Sequence, residues 1–314
     1  MTRRIRVLFV GGWGRSGSTL IDRILGQAPG VFSAGEIREI WERGCLQNRP
    51  CGCDQAFRDC EIWREIGDVA FGGWDEIDLD RVLELRFTLD RPWSVPYLAA
   101  PVIKRSEVRE YVAILDALYG AIVDVTGADV IVDSSKIPSH AFLLRRVQRV
   151  DLRLLHLVRD SRAVAYSWQK VVEKRVTTGN VQYLPQYGPV ASSIRWLLYN
   201  AQTRALARLG VPYRRIRYED FIGDPRCWTE RILAFAGIRP DWDRMPFAAP
   251  DVVVLGPNHT VDGNPVRFAT GPTTLRRDDE WRTLLPARDR RLVTLATLPA
   301  LIRYGYRPLA GSRR

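Results

Sequence analysis

A glycine-rich turn near the start of the chain constrains the fold more than any other feature. The turn, GGWGRSGST at residues 11–19, connects an apolar segment at residues 7–10 to a second apolar segment that begins at Leu20. A strand that enters such a turn and leaves it as a helix directs backbone N–H groups and a helix N-terminus at one point. Points of this kind bind anions, most often phosphate. The turn therefore predicts a phosphate site between the first strand and the first helix.

The glycine spacing of this turn matches the Walker A loop, G-x-x-x-x-G-K-[ST], from Gly12 to Thr19. Ser18 stands where that loop has its lysine, and Arg15 is the basic residue of the turn. The missing lysine is the group that grips the β- and γ-phosphates of a nucleoside triphosphate. We therefore expect a phosphate-binding loop that does not bind a nucleoside triphosphate in the way a Walker A loop does.

Strand and helix patterns alternate along the chain, which predicts a central parallel sheet flanked by helices in three layers. The expected strands are at about 5–11, 129–132, 152–158 and 213–218. The expected helices are at about 17–27, 138–149, 161 onward and 190–209, with a last helix that comes after residues 219–221 and runs to about 236. Ser161 is the expected N-cap of its helix. Two less regular segments, 43–104 and about 174–189, are interpreted as insertions that shape a substrate pocket. The whole chain, 1–314, is expected to form one domain.

Chemically suggestive residues follow the ends of the expected strands. They are Arg15, Lys136, Arg159 and Tyr218. In open parallel sheets, ligands bind outside the carboxyl ends of the strands. The positions of these side chains therefore predict a single site at that edge of the sheet.

The chain carries 47 basic and 36 acidic side chains, a formal net charge of +11. This excess indicates either a cleft for an anionic ligand or simply an arginine-rich solvated surface, and both interpretations stay open. The arginines are scattered, without a basic run or an aromatic ladder, so nucleic-acid binding is disfavoured. No apolar run reaches the length of a membrane span. The apolar run after the first arginines is too short for a signal peptide, which predicts a cytoplasmic protein.

Four of the five cysteines fall in one short region, at Cys45, Cys51, Cys53 and Cys60. Their spacing matches no standard zinc motif, so a packed or disulfide-linked lobe is favoured over a metal site. Tryptophans 41, 63, 74 and 93 lie in the same region. They are expected to form the core of this lobe, with an aromatic slot for an acceptor as the alternative.

Several motifs together resemble the sulfotransferase family, whose members use 3′-phosphoadenosine-5′-phosphosulfate (PAPS). Gly14-Arg15-Ser16-Gly17-Ser18-Thr19 resembles the loop that binds the 5′-phosphosulfate. The segment 158–167, with Arg159 and Ser167 eight positions apart, resembles the motif for the 3′-phosphate. Tyr218, in the sequence RYED, is similar to a tyrosine near the adenine, and the segment 263–268, with Arg267, is similar to one that returns to the nucleotide. The resemblance implies PAPS as donor, 3′,5′-adenosine bisphosphate as product, a small-molecule or carbohydrate acceptor, and no metal requirement.

The chemistry of sulfuryl transfer requires positive charge at the moving group and a base for the acceptor hydroxyl. Arg15 is the expected cation at the phosphosulfate, because its guanidinium can bind oxygens in a fork but is a poor proton donor. Lys136 is expected to assist it, with an ion pair to Asp133 as the alternative. Glu36 resembles the catalytic carboxylate of carbohydrate-type sulfotransferases and is the favoured base. His140 is the competing candidate.

A P-loop kinase of a small molecule, using ATP and magnesium, is the alternative function. The apolar residues 130–132 followed by Asp133 resemble the strand and aspartate that hold Mg²⁺ in such enzymes. Ser18 argues against this alternative, because a kinase of this type needs lysine there. Of the remaining histidines, His156 is expected in the core, and His259 lies far from every motif.

Overall fold

The computed structural model describes residues 4–102, 105–174 and 182–307. Its strands are β1 Ile5–Gly12, β2 Val31–Gly35, β3 Val130–Lys136, β4 Val150–Val158, β5 Glu173–Lys174, β6 Gln182–Tyr183, β7 Tyr213–Arg217, β8 Phe247–Ala249, β9 Val252–Leu255 and β10 Gly271–Thr274. Its α-helices are α1 Ser18–Leu25, α2 Glu61–Phe71, α3 Leu79–Leu89, α4 Val95–Leu98, α5 Ser106–Thr126, α6 Pro138–Leu144, α7 Ser161–Gln169, α8 Pro189–Arg208, α9 Tyr218–Gly223, α10 Pro225–Ala236, α11 Trp281–Leu284 and α12 Ala287–Arg303. Short 3₁₀ turns at Ile37–Glu39, Pro92–Ser94 and Pro265–Phe268 and a π-helical segment at Ile40–Leu46 complete the elements.

Five strands form the central sheet in the order β2-β3-β1-β4-β7, and every neighbouring pair is parallel. From β1 the chain continues to β2, at one edge of the sheet, and from β4 it continues to β7, at the opposite edge. The boundary between β1 and β4 is therefore a switch point, where a crevice opens at the carboxyl ends of the strands. The predicted α/β fold with a central parallel sheet is confirmed.

Alternation along β1 explains why both faces of this sheet are covered. Ile5, Val7 and Phe9 pack into one buried apolar cluster, and Leu8 and Val10 pack into another. Successive side chains of a strand point to opposite faces, so a strand that is apolar at every position needs a layer of helices on each side.

Within the described residues, no helix is both long and apolar enough to cross a membrane.

The segment 43–104 is more regular than predicted. It contains α2, α3 and α4, and its last two residues, 103–104, lie outside the described residues. Trp41, Trp63 and Trp74 are buried in the core, which confirms them as core residues, whereas Trp93 is 74% exposed. The spacing of the tryptophans does not predict these helices, because their rings pack on one another and on Phe57 rather than along one face of a helix.

Several predicted boundaries need correction. Asp160, not Ser161, caps α7, because its carboxylate accepts a hydrogen bond from the backbone N–H of Arg162. The helix predicted at 138–149 ends at Leu144. The helix predicted to end at about 236 is α10, and residues 219–221, expected to connect it to the strand, belong to a separate helix, α9. Asp224 separates them, since its side chain accepts from the backbone of Cys227 and begins the second helix. In the segment predicted as an insertion at 174–189, β5 pairs with β6, and residues 175–181 lie outside the described part of the chain.

The C-terminal third adds a small antiparallel sheet, in the order β10-β9-β8, and a segment that crosses α1. We call residues 256–269 the C-terminal strap. Arg23, fully buried in α1, donates hydrogen bonds to four carbonyl groups of the strap: those of Gly256, Val266, Arg267 and Ala269. A single buried guanidinium thus fixes the strap to the helix that follows the glycine-rich turn.

A buried carboxyl group couples the stability of the sheet to pH. The carboxyl group of Asp22, on α1, accepts hydrogen bonds from the hydroxyls of Ser33 on β2 (2.7 Å) and Ser134 on β3 (2.8 Å). Burial outweighs these bonds and raises the pKa of Asp22 to about 7. The folded state therefore binds a proton that the unfolded state releases near pH 4, so this group makes folding less favourable as the pH rises from about 4 to about 7.

We expect Asp22→Asn to remove this pH dependence. The amide keeps the size of the side chain and never ionises, so the variant should exceed the wild type in unfolding free energy at pH 8 by a few kcal/mol and match it more closely at pH 5. Urea unfolding at both pH values measures the difference. Asp68→Asn, at an exposed position of α2, is the control and should keep the slope of the wild type. Equal slopes in the wild type and Asp22→Asn would contradict the expectation.

Candidate functional site

The glycine-rich turn closes tightly between β1 and α1. Gly17 precedes the helix with a φ of 88°, and a Cβ at this position would lie 2.5 Å from the ring of Tyr218. Only glycine meets both conditions without strain. The hydroxyl of Ser16 donates to the carbonyl of Trp13 at 2.7 Å, which leaves the helix N-terminus clear of side-chain caps. Ser18 and Thr19 are the buried first residues of α1.

Arg15 lies in the turn as a half-buried cation, and two of its three guanidinium nitrogens have no hydrogen-bonding partner among the described residues. Within the described ranges, its Nε and Nη2 atoms are buried and donate to no acceptor. Its guanidinium lies 5.0 Å from the centroid of the Trp168 ring, and Trp168 also covers Gly14. Burial lowers the pKa of Arg15, and Glu36 opposes that effect. A buried donor without an acceptor costs free energy, which an anion bound in the turn recovers.

Arg159 approaches the same turn from the neighbouring strand. It follows β4, and its Nη1 donates to the carbonyl of Arg15 at 3.0 Å. Its Nη2 pairs with the carboxylate of Asp278 at 2.9 Å, and its guanidinium lies 4.7 Å from the centroid of the Tyr218 ring. Among the described residues, its buried Nε has no acceptor. The predicted positions 15, 159 and 218 therefore meet at the β1–β4 crevice, where Arg159 forms an ion pair with Asp278.

Glu36 and Lys136 form an ion pair beside the turn. Glu36 follows β2, and Lys136 is the last residue of β3. The Lys136 Nζ contacts Glu36 Oε1 and donates to the carbonyl of Ser134 at 3.2 Å. Burial raises the pKa of Glu36, and the Lys136 ammonium opposes that effect. The partner of Lys136 is therefore Glu36 and not Asp133, so the expected cation and the favoured base lie together.

His140 lies behind this pair and is fully buried. Its Nδ1 is 3.5 Å from Asp90 and its Nε2 is 3.5 Å from Asp133. Burial lowers its pKa, but the two carboxylates outweigh burial and raise that pKa to about 9. The ring is therefore protonated at neutral pH and has no lone pair for a proton.

Asp133 is engaged on both of its carboxylate oxygens. Oδ1 accepts from the backbone N–H of Ser135 at 2.9 Å and from its hydroxyl, and Oδ2 accepts from the Tyr119 hydroxyl at 2.6 Å. The residue is also fully buried. These bonds leave Asp133 poorly suited to hold the Mg²⁺ that the kinase alternative requires.

The remaining predicted residues differ in their positions. The hydroxyl of Thr19 accepts from the backbone N–H of Asn264 at 3.3 Å, so the strap does return to the turn. Ser167 is the half-buried seventh residue of α7. Arg267 is bonded to the backbone: its Nη1 donates to the carbonyl of Thr260 at 2.5 Å and its Nη2 to the carbonyl of Pro50. With 3% exposure and these bonds, Arg267 holds the strap against residue 50.

Sequence reasoning missed Trp168, Asp278 and Arg23 near this site. Trp168 directly follows the 158–167 match and could have been singled out as an aromatic residue on the helix that carries the end of this motif. Asp278 lies in a charged run, RRDDE at 276–280, where no pattern distinguishes one acid from another. The partners of Arg23 are backbone carbonyls more than 230 residues away, which leave no trace in the sequence. His156, predicted in the core, is fully buried and bonded to Tyr213 and Asn200, which confirms that prediction.

Comparisons with known proteins bear on the family and the fold of the chain. The model of the sulfotransferase family matches residues 8–244. The sulfotransferase domain of the Synechococcus PCC 7002 olefin synthase is similar in structure, with a TM-score of 0.53 and 18% identity over 98% of this chain and 97% of that one. The sulfotransferase domain from the curacin biosynthetic pathway has a TM-score of 0.50 and 16% identity over 97% of this chain and 99% of that one. No curated protein matches the sequence. The family match covers most of the chain, which therefore belongs to the sulfotransferase family.

Proposed function

We propose that this protein transfers a sulfuryl group from PAPS to a hydroxyl group of a small-molecule or carbohydrate acceptor. The observation that carries the proposal is the guanidinium of Arg15, which lies in the glycine-rich turn with two buried nitrogen atoms that have no acceptor among the described residues. The ion pair of Glu36 and Lys136 lies beside it. Family membership supports sulfuryl transfer over the kinase alternative, as do the engaged oxygens of Asp133.

Two groups of residues fit a nucleotide with two separate anionic ends. The backbone of residues 14–19, the hydroxyls of Ser18 and Thr19, and Arg15 would hold the 5′-phosphosulfate at the N-terminus of α1. Arg159, with its unsatisfied Nε, and Ser167 would hold the 3′-phosphate. Tyr218, stacked under Arg159, would border the adenine. Arg267 is left out of this set because both of its terminal nitrogens are bonded to the backbone.

Glu36 is the proposed general base. PAPS, when bound, supplies the sulfuryl group. Burial raises the pKa of the Glu36 carboxyl, which makes its carboxylate a better proton acceptor than an exposed glutamate. Lys136 keeps this carboxylate oriented and adds positive charge next to Arg15. The protonated ring of His140 supports a structural role for that residue, between Asp90 and Asp133.

Donor binding tests the proposal without any knowledge of the acceptor. We expect 3′,5′-adenosine bisphosphate, without magnesium, to raise the melting temperature by several degrees, since a ligand at about 100 times its Kd stabilises the folded state by about 2.7 kcal/mol. AMP, which lacks the 3′-phosphate, is the matched control and should give a much smaller shift. A shift with ATP and Mg²⁺ but not with the bisphosphate would support the kinase and contradict the proposal. The acceptor can then be sought by mass spectrometry of mixtures with PAPS, as products heavier by one SO₃ group.

A further inference from the structure

Three cysteines and one histidine converge at a place far from the glycine-rich turn in sequence. Cys51, Cys53 and Cys60 belong to the loop before α2, and His259 belongs to the C-terminal strap. One ligand atom from each residue lies within 4.8 Å of the other three. The Nδ1 atom of His259 is 3.2 Å from the Cys60 Sγ and 3.9 Å from the Cys51 Sγ.

These distances fit a tetrahedral zinc ion. Zinc binds cysteine sulfur at about 2.3 Å and histidine nitrogen at about 2.0 Å. A tetrahedron with those bond lengths separates two sulfurs by about 3.8 Å and a sulfur from a nitrogen by about 3.5 Å. The four side chains therefore need only small adjustments to coordinate one ion, and a set of three sulfurs and one nitrogen is typical of structural zinc sites.

The backbone around the four residues is already fixed in this arrangement. Trp63 Nε1 donates to the carbonyl of His259 at 2.7 Å, and the N–H of Gly52 donates to the carbonyl of Thr260 at 3.0 Å. Cys51 and Cys60 are fully buried, and all three cysteines are free thiols. A disulfide between any two of them would leave the third unpaired beside the imidazole, whereas a zinc ion uses all four ligands.

We propose that Cys51, Cys53, Cys60 and His259 bind a structural zinc ion that fastens the cysteine loop to the C-terminal strap. The thiol protons leave to solvent when the metal binds, and no oxidant is required. The ion closes a four-ligand site without an open position, so its role is structural rather than catalytic. The sequence alone favours a packed or disulfide-linked lobe over a metal site, because the cysteines have no standard zinc spacing. The fourth ligand is hidden in the sequence, since it lies 199 residues after Cys60.

Such an ion would act on the sulfotransferase site through the strap. His259 is five residues before Asn264, whose backbone N–H donates to Thr19 at the start of α1. A Cβ at Gly263 would lie 3.2 Å from the Thr19 hydroxyl and 3.5 Å from Glu36. The metal would thus hold the strap in place over both residues. The metal proposal itself does not depend on the identity of the donor or acceptor.

Metal analysis of the purified full-length chain tests this proposal. We expect roughly one zinc ion per chain by plasma mass spectrometry after purification without chelators, and its loss in Cys60→Ser and in His259→Ala. Cys45→Ala, a buried cysteine of the same lobe outside the cluster, and Cys227→Ser, on α10, are the controls and should keep the full zinc content.

Cobalt provides a second measurement that needs no variant to fold. The reduced, metal-free wild-type chain should bind one Co²⁺ and develop the intense visible and near-ultraviolet bands of a tetrahedral thiolate site, and zinc should displace them. A fully reduced chain that gives no such bands would overturn the proposal. The proposal would also be overturned if two of the three cysteines resist alkylation in the denatured, unreduced protein, because that result indicates a disulfide.

Discussion

Arg159→Ala is expected to weaken binding of 3′,5′-adenosine bisphosphate by roughly 30- to 1,000-fold, the equivalent of about 2–4 kcal/mol. Arg159 is 6% exposed, and its Nε has no acceptor among the described residues. A buried, charge-assisted bond to a phosphate is among the strongest contacts a protein makes. Alanine removes the donor, and no other side chain of the chain takes its place in the variant.

The fold should survive this change. Asp278, the carboxylate that Arg159 pairs with, has a side chain that is 31% exposed, so water can solvate it when the arginine is gone. The Trp196 Nε1 bonds to the backbone carbonyl of residue 159, which alanine retains. Isothermal titration measures the affinity, and circular dichroism checks the fold.

Arg153→Ala is the matched control for Arg159→Ala. Arg153 lies on the same strand, β4, and donates to the carbonyl of Phe235 away from the crevice. Its loss should leave the affinity for the bisphosphate unchanged. An Arg159→Ala variant that binds the nucleotide as tightly as the wild type would refute the assignment of the second anionic end to this arginine.

Glu36→Gln is expected to lower kcat by roughly 100- to 10,000-fold, the range that a positioned general base contributes. The amide preserves the size of the side chain but cannot take a proton from the acceptor hydroxyl. Lys136 keeps its bond to the carbonyl of Ser134, so positive charge stays near Arg15. Affinity for 3′,5′-adenosine bisphosphate should therefore change little, which separates this variant from Arg159→Ala.

Transfer to water offers an assay before the acceptor is known, because water must also lose a proton. Release of sulfate from PAPS should fall in Glu36→Gln and persist in Glu42→Gln, which removes a nearby carboxylate that is bonded to Arg86. In the wild type, the rate should drop as the pH falls through the raised pKa of Glu36, since only the carboxylate accepts a proton. If Glu36→Gln keeps its turnover, and its rate drops at low pH as in the wild type, Glu36 is excluded as the base.

Local patterns predict most of the central sheet. β1, β3 and β4 are apolar runs that end at glycine or at polar residues, and those signals need no tertiary context. β2 escapes prediction because it is five residues long and ends in glycine, so only its pairing with β3 defines it. The sheet formed by β8, β9 and β10 cannot be predicted from local patterns either, because its strands contain only three or four residues each.

The site is predictable to the extent that its residues follow strands. Arg15, Lys136, Arg159 and Tyr218 were identified because parallel strands bring their carboxyl ends together. The sequence could not reveal that Lys136 pairs with Glu36, because the pairing depends on the turn that follows β2 and on a φ of 67° at Lys136. Nor could it reveal that Arg267 is bonded to the carbonyls of Thr260 and Pro50, because a buried arginine bonded to carbonyls and one that faces a phosphate look the same in a sequence.

The C-terminal strap has a consequence for the order in which the molecule assembles. Asn264 meets Thr19 across 245 residues, and Arg267 meets Pro50 across 217. Contacts of such separation form slowly, because a long loop must close before they contribute free energy. During synthesis, Arg15 and Arg159 leave the ribosome well before residues 256–269. The surroundings of Thr19 and Glu36 are therefore complete only after residues 256–269 have left the ribosome and docked.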